Sequence, residues 1–201
     1  MSTDQSPTTT TPATPGSHLA DPAPLGLAAF ALTTFVLSFV NTGLFKAEPV
    51  VFGLALAYGG AAQFAAGMWE FAKGNTFGAT AFTSYGAFWI SFWYLTGHTD
   101  LSGVKPDDLS NGLGLFLLAW CIFTAYMTIG ALRLSGALTA VFALLTLTFL
   151  FLSLGDFATS DGLTHIGGWL GLATAAAAWY ASLAGVTAFT HKRPVFPVGQ
   201  R

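Results

Sequence analysis

The amino-acid sequence predicts an all-α fold, a polytopic membrane protein built as a bundle of six transmembrane helices. Three observations carry that prediction. Charged residues are 8% of the 201, against about 25% in soluble domains. Apolar residues are 53%, more than so few charges could shield from water. The run from Leu25 to Leu44 holds no formal charge. At ~1.5 Å per residue it spans roughly 30 Å, the thickness of a bilayer's hydrocarbon core.

Six apolar segments are long enough to cross. The first covers about 24–44. Pro22 and Pro24 sit at its start, where the first-turn N–H groups have no partner and proline is tolerated. The second covers about 50–71 and is opened by Pro49. The third covers about 76–96, the fourth 113–132, the fifth 137–155 and the sixth 164–189. The longest connection is 97–112, with His98, Asp100, Lys105, Asp107 and Asp108. Three regions follow: a polar tail over 1–20, expected to be disordered; a six-helix domain over 21–190; and a short basic tail over 191–201. The first tail is rich in Thr, Pro and Ser and too poor in apolar side chains to fold. It has no Lys or Arg ahead of a short apolar segment, so the first helix is expected to be retained rather than cleaved as a signal.

With six crossings both ends lie on one side of the membrane. That side carries Lys73, Arg133, Lys192, Arg193 and Arg201, and the other only Lys46 and Lys105. The positive-inside rule then places both termini in the cytoplasm, with the chain in the plasma (inner) membrane. The net charge of −2 gives no nucleic-acid footprint, and the lone Cys121 excludes an internal disulfide. Small residues recur four apart: Ala57, Ala61 and Ala65; Gly59, Gln63 and Gly67; Gly167, Gly171 and Ala175. Such stripes let helix backbones approach in a bilayer.

Polar side chains form stripes too. Thr34, Ser38 and Asn41 follow Phe30 along one helical face. Gln63 shares a face with Gly59, Gly67 and Glu70. Thr76, Thr80, Thr83, Ala87 and Ser91 align in the third segment, with Tyr85 nearby, and Thr139, Thr146 and Ser153 lie seven apart in the fifth. A membrane hydroxyl most often bonds its own i−4 carbonyl. Four stripes in one small bundle also fit a lined pathway, and Asn41 and Gln63 fit either a pathway or a helix bridge, since amides are costly to bury unpaired. No charged or imidazole side chain sits mid-span. Glu70 and His165 lie near helix ends, where a charged group snorkels to the interface. No Cys/His/carboxylate cluster suggests a metal, and no triad or phosphate loop suggests an enzyme. No cofactor is expected. A small polar solute can move between neutral donors, whereas a multiply charged one finds nothing to offset its desolvation.

Several motifs resemble one family. Asp21-Pro22-Ala23-Pro24-Leu25-Gly26-Leu27 is similar to the Asn-Pro-Ala-Pro-Leu-Gly-Leu signature of the acetate uptake transporters, or succinate–acetate permeases. Tyr58-Gly59-Gly60-Ala61-Ala62-Gln63, Gly67-Met68-Trp69-Glu70, Gly74-Asn75-Thr76-Phe77-Gly78 and Ala81-Phe82-Thr83-Ser84-Tyr85-Gly86-Ala87-Phe88-Trp89 resemble that family's second-to-third-helix block, and His165 with Gly168-Trp169 its sixth helix. The signature departs at Asp21, where the family has Asn; both cap helix N-termini. The resemblance implies a pore in each protomer, a hexamer, and passage of acetate and, in some members, succinate. It also implies a hydrophobic constriction of Phe30, Tyr85 and Leu145. The expectation is a carrier or channel for small monocarboxylates. Asn41, Gln63, Thr34, Ser38, Thr80, Thr83, Ser84 and Thr146 are its substrate-binding candidates. Asp21, Pro22, Pro24, Leu25 and Gly26 form its entrance, and Tyr85 is the one hydrogen-bond donor in the ring. A channel for ammonia or another small neutral solute is the alternative, since the same stripes would tolerate it.

Overall fold

The computed structural model describes residues 19–200, so the expected disorder over the first 18 residues lies outside the described part. Six long helices account for most of it. They are α1 (Ala23–Asn41), α2 (Glu48–Lys73), α3 (Thr76–Gly97), α4 (Pro106–Ala131), α5 (Gly136–Phe157) and α6 (Asp161–His191). All but α3 are long and apolar enough by composition to cross a membrane. The exception carries no charge but is rich in Thr, Ser, Gly, Trp and Tyr.

Local chemistry sets the ends. Pro24 opens α1 in the first turn, where its missing N–H is no loss. Gly74, at φ 75°, closes α2 in the left-handed conformation that only glycine adopts without strain. Asn75 then caps α3, its side chain accepting from the Gly78 N–H. The fourth helix begins at Pro106, so the expected loop over 97–112 is half helix. Pro106 stands in its first turn, with Asp107 and Asp108 there to complement the helix dipole. Those are start signals that a hydropathy reading of charged residues passes over. Helix α2 is not uniform. A 3₁₀ turn at Glu48–Val51 opens it and a π turn at Ala57–Ala62 widens it just before Gln63.

The helices form a ring. α1 packs on α6, α6 on α5, α5 on α4, and α2 joins α3 to α1. The backbones of α3 and α4 barely meet. Side chains close that gap: Phe88 stacks on Phe116 at 5.8 Å between centroids, and Tyr85 meets Trp120 at 5.9 Å. The small-residue stripes lie where backbones come closest. A Cβ on Gly59 would stand 2.6 Å from the Thr33 hydroxyl and one on Gly67 2.5 Å from the Thr83 backbone nitrogen; beside the last stripe, one on Gly168 would stand 2.6 Å from the Asn41 carbonyl carbon. Beyond α6 the chain turns back at Lys192 (φ 56°). The carbonyls of Val198 and Gly199 accept from the first N–H groups of α5 at 3.0 and 2.8 Å, and Tyr180 donates its hydroxyl to Pro197.

Gly168→Ala places a methyl against backbone that cannot yield. It should lower stability by about 1–3 kcal/mol, whereas Gly53→Ala meets nothing within 4 Å and should leave stability unchanged or raise it by up to about 1 kcal/mol. Thermal unfolding of the detergent-solubilised protein, followed by size-exclusion, measures both.

Candidate functional site

Two cavities lie along the inside of the ring and meet end to end. The wider, about 1280 Å³, opens on the side of Asp21, Arg133 and the returning segment that ends at Gln200. The narrower, about 200 Å³, leads to the opposite side, past Asn41, Glu48 and Asp156. Phe30 and Leu145 line both, so the cavities adjoin at these two side chains. Tyr85 lines the wider cavity beside them, its ring 5.8 Å from that of Phe30. All three are at least 95% buried. The three residues of the expected constriction therefore stand together from α1, α3 and α5.

The role expected of the Tyr85 hydroxyl needs correction. It lies 2.9 Å from Thr124 Oγ1, and Thr124 in turn bonds the Trp120 carbonyl at 2.7 Å. With the threonine proton on that carbonyl, the tyrosine proton points at threonine. The phenol bridges α3 to α4 rather than offering a donor to the passage, and the collar presents ring faces and a Leu side chain.

Of the polar candidates, Thr34, Ser38 and Asn41 line the narrower cavity, as their shared face predicts. The Thr34 hydroxyl is buried without a partner. Gln63, 1% exposed, lines the wider cavity with its Oε1 unpartnered. Its position follows directly on the π turn, which swings the amide off the regular helical register. Thr80, Thr83, Ser84 and Thr146 line neither cavity. Thr83 packs against Gly67 in the α2–α3 seam. Thr146 bonds the Phe142 carbonyl at 2.8 Å and Thr128 Oγ1 at 3.1 Å. The rest of its stripe does likewise: Thr139 donates to the Ala131 carbonyl at 3.1 Å, and Ser153 to the Gly114 carbonyl at 2.8 Å. That stripe joins α5 to α4.

At the wide mouth, Asp21, Pro24 and Leu25 line the opening, while Pro22 is buried and Gly26 faces the Phe82 ring. Asp21 is not a bare carboxylate there: Lys73 pairs with it at 2.8 Å. Glu70 also departs from expectation. It is fully buried rather than snorkelling, because α3 returns directly over it. Its Oε2 accepts from Asn75 Nδ2 at 2.8 Å and its Oε1 has no partner.

The sequence reading missed Trp89 and Thr148, both in the narrower cavity, and Thr124 behind the collar. Trp89 lies one turn beyond Tyr85, a spacing that could have found it. The returning segment, which lines the wide cavity from Pro194 to Gln200, leaves no such signal.

Comparison with known proteins adds the family. Residues 4–199 match the GPR1/FUN34/yaaH family. "Accumulation of dyads protein 2" of Saccharomyces cerevisiae is 47% identical over 86% of this chain and 63% of its own length. "Acetate permease A" of Emericella nidulans is 44% identical over 89% of this chain and 65% of its own. The chain thus spans about two-thirds of these fungal relatives. The "Succinate-acetate/proton symporter SatP" of Escherichia coli K12 is 39% identical over 92% of this chain and 97% of its own length. The solved structure of the bacterial acetate channel SatP superposes with a TM-score of 0.83 at 39% identity, over 90% of this chain and 99% of that one. The chain is a multi-pass membrane protein and belongs to the GPR1/FUN34/yaaH family.

Proposed function

We propose that this chain conducts small monocarboxylates, chiefly acetate, through a pore in each protomer of a homo-hexamer, with both termini in the cytoplasm. The observation that carries the reading is the pair of cavities adjoining at Phe30 and Leu145, with Tyr85 beside them. The names of relatives support the substrate: acetate permease, succinate-acetate/proton symporter and acetate channel. Acetate suits such a path. Its methyl fits an apolar collar, while neutral groups such as Gln63, Thr34 and Ser38 receive its carboxylate on either side. An apolar ring this close also impedes hydrated ions by dewetting. Some relatives' names add succinate, a larger acid that makes the collar's width decisive.

A second reading has one observation in its favour. The "Ammonia transport outward protein 2" of Saccharomyces cerevisiae is 44% identical over 86% of this chain, and a neutral solute crosses an apolar collar without shedding a charge's hydration. Uptake of labelled acetate into proteoliposomes, against ammonia flux in the same vesicles, decides between them. Acetate flux at the level of protein-free liposomes sinks the first reading.

Phe30→Ala should widen the collar, so that succinate and lactate cross faster relative to acetate. An unchanged size limit would make Phe30 a packing residue. Gln63→Leu removes an amide at similar volume. A lost hydrogen bond to a charged group is worth ~1.5–3 kcal/mol, so acetate flux through correctly assembled protein should fall at least several-fold. Flux within error of wild type removes Gln63 from the pathway. For topology, a cysteine at Ser102 should react with an impermeant thiol reagent in intact cells, and one at Arg193 should not. The native Cys121 is buried and should stay silent.

A further inference from the structure

Glu70 is the one carboxylate in the described part that is fully buried, and the proposed pathway does not use it. Its surroundings are asymmetric. Oε2 accepts from Asn75 Nδ2, while Oε1 is buried without any partner. An ionised carboxylate held this way leaves a charged oxygen desolvated and unbonded, which is costly. A proton on that oxygen removes the charge and with it the larger part of the cost.

The carboxyl also stands at the pore wall. Asn75, Gly78 and Asp21 all line the wide cavity. A Cβ built on Gly78 would fall 2.8 Å from the Glu70 carboxyl carbon and 2.6 Å from Asn75 Nδ2. One glycine therefore separates the carboxyl from the vestibule, and that residue must be glycine for the carboxyl to sit there. The charged groups around it are few. On its own helix Lys73 acts on it, already paired to Asp21 at 2.8 Å; from the segment before α1 Asp21 acts on it; the start of α3 brings no charge. Arg133 lines the same cavity, with no ion pair among the described residues. An ionised Glu70 leaves this mouth with balanced charge, two carboxylates against Lys73 and Arg133. A protonated Glu70 leaves it with a net positive charge. Through one glycine, in a setting of low dielectric, that change reaches the vestibule with little screening.

We propose that Glu70 is a proton-sensing residue behind the vestibule wall, and that its protonation favours entry of the substrate carboxylate from that side. This rests on the acetate-transport reading above. It is a positioning role: Glu70 acts through the wall and through Asn75 without touching the substrate.

The test is labelled-acetate uptake into proteoliposomes with equal pH inside and out, at stepped pH from the ordinary carboxyl range upward to mildly alkaline. Leak through protein-free vesicles is subtracted. Wild-type flux should fall several-fold across that range. Glu70→Gln keeps an oxygen for Asn75 and is permanently neutral, so its flux should hold near the wild-type low-pH level throughout. Asn75→Ser can still cap α3 but cannot support the carboxylate, so it should move the wild-type midpoint to higher pH. A flat wild-type profile overturns the proposal. So does a Glu70→Gln profile that keeps the wild-type slope, or an Asn75→Ser midpoint that does not move. The failures are distinct: absence of acetate flux at every pH counts against the transport reading, whereas flux without pH dependence counts against Glu70 alone.

Discussion

The hydrogen bond between Tyr85 and Thr124, 2.9 Å long, closes the ring on which the rest depends. Every other neighbouring pair of helices is held by backbones in close approach. Between α3 and α4 the backbones barely meet, and the aromatic cluster of Phe88, Phe116 and Trp120 packs there without direction. A buried hydroxyl pair supplies the direction. The same bond sets the collar, because it fixes the Tyr85 ring edge-on to Phe123 and tilted over Phe30. Closure of the bundle and narrowing of the passage are thus one event.

Much of this was legible in the sequence. The six segments follow from run length and absent charge, and Thr34, Ser38 and Asn41 reach one cavity because helical period alone puts them on one face. What failed was any inference that depended on the neighbour. The stripe of Thr139, Thr146 and Ser153 has the same periodicity as the lining stripe, yet it bonds α4. Thr148, two residues along the same helix, faces the passage instead. Periodicity identifies a face but not what the face meets. Glu70 failed for a related reason. Nearness to a helix end implies access to water only if no other element covers that end, and the Gly74–Asn75 turn folds α3 over it. The π turn at Ala57–Ala62 has no sequence period of its own, so the aim of Gln63 could not be read from spacing.

The membrane constraint explains where polarity went. Hydroxyls on α5 and α6 return protons to carbonyls one turn back, as Thr148 does to Leu144 and Thr174 to Leu170. Few side chains are left wanting: Thr34, Gln63, Glu70, Thr83 and Trp89 hold the buried polar atoms without partners. Thr34, Gln63 and Trp89 line the two cavities. Unmet hydrogen-bonding capacity is therefore concentrated along the passage: the Thr34 hydroxyl and the Trp89 indole N–H can donate there, and Gln63 Oε1 can accept.

On the transport reading proposed above, the unequal cavities carry a consequence for kinetics. The space on one side of the collar is roughly six times that on the other, about 1280 against 200 Å³. A solute arriving from the roomy side keeps its hydration shell until it reaches Phe30 and Leu145. From the other side it enters the smaller cavity, lined in part by Asn41 and Trp89, and gives up more of its water before the collar. The two directions share one overall equilibrium, but they do not share a rate-determining desolvation step. Half-saturation measured from the two faces of the membrane should accordingly differ, even though the same collar is crossed.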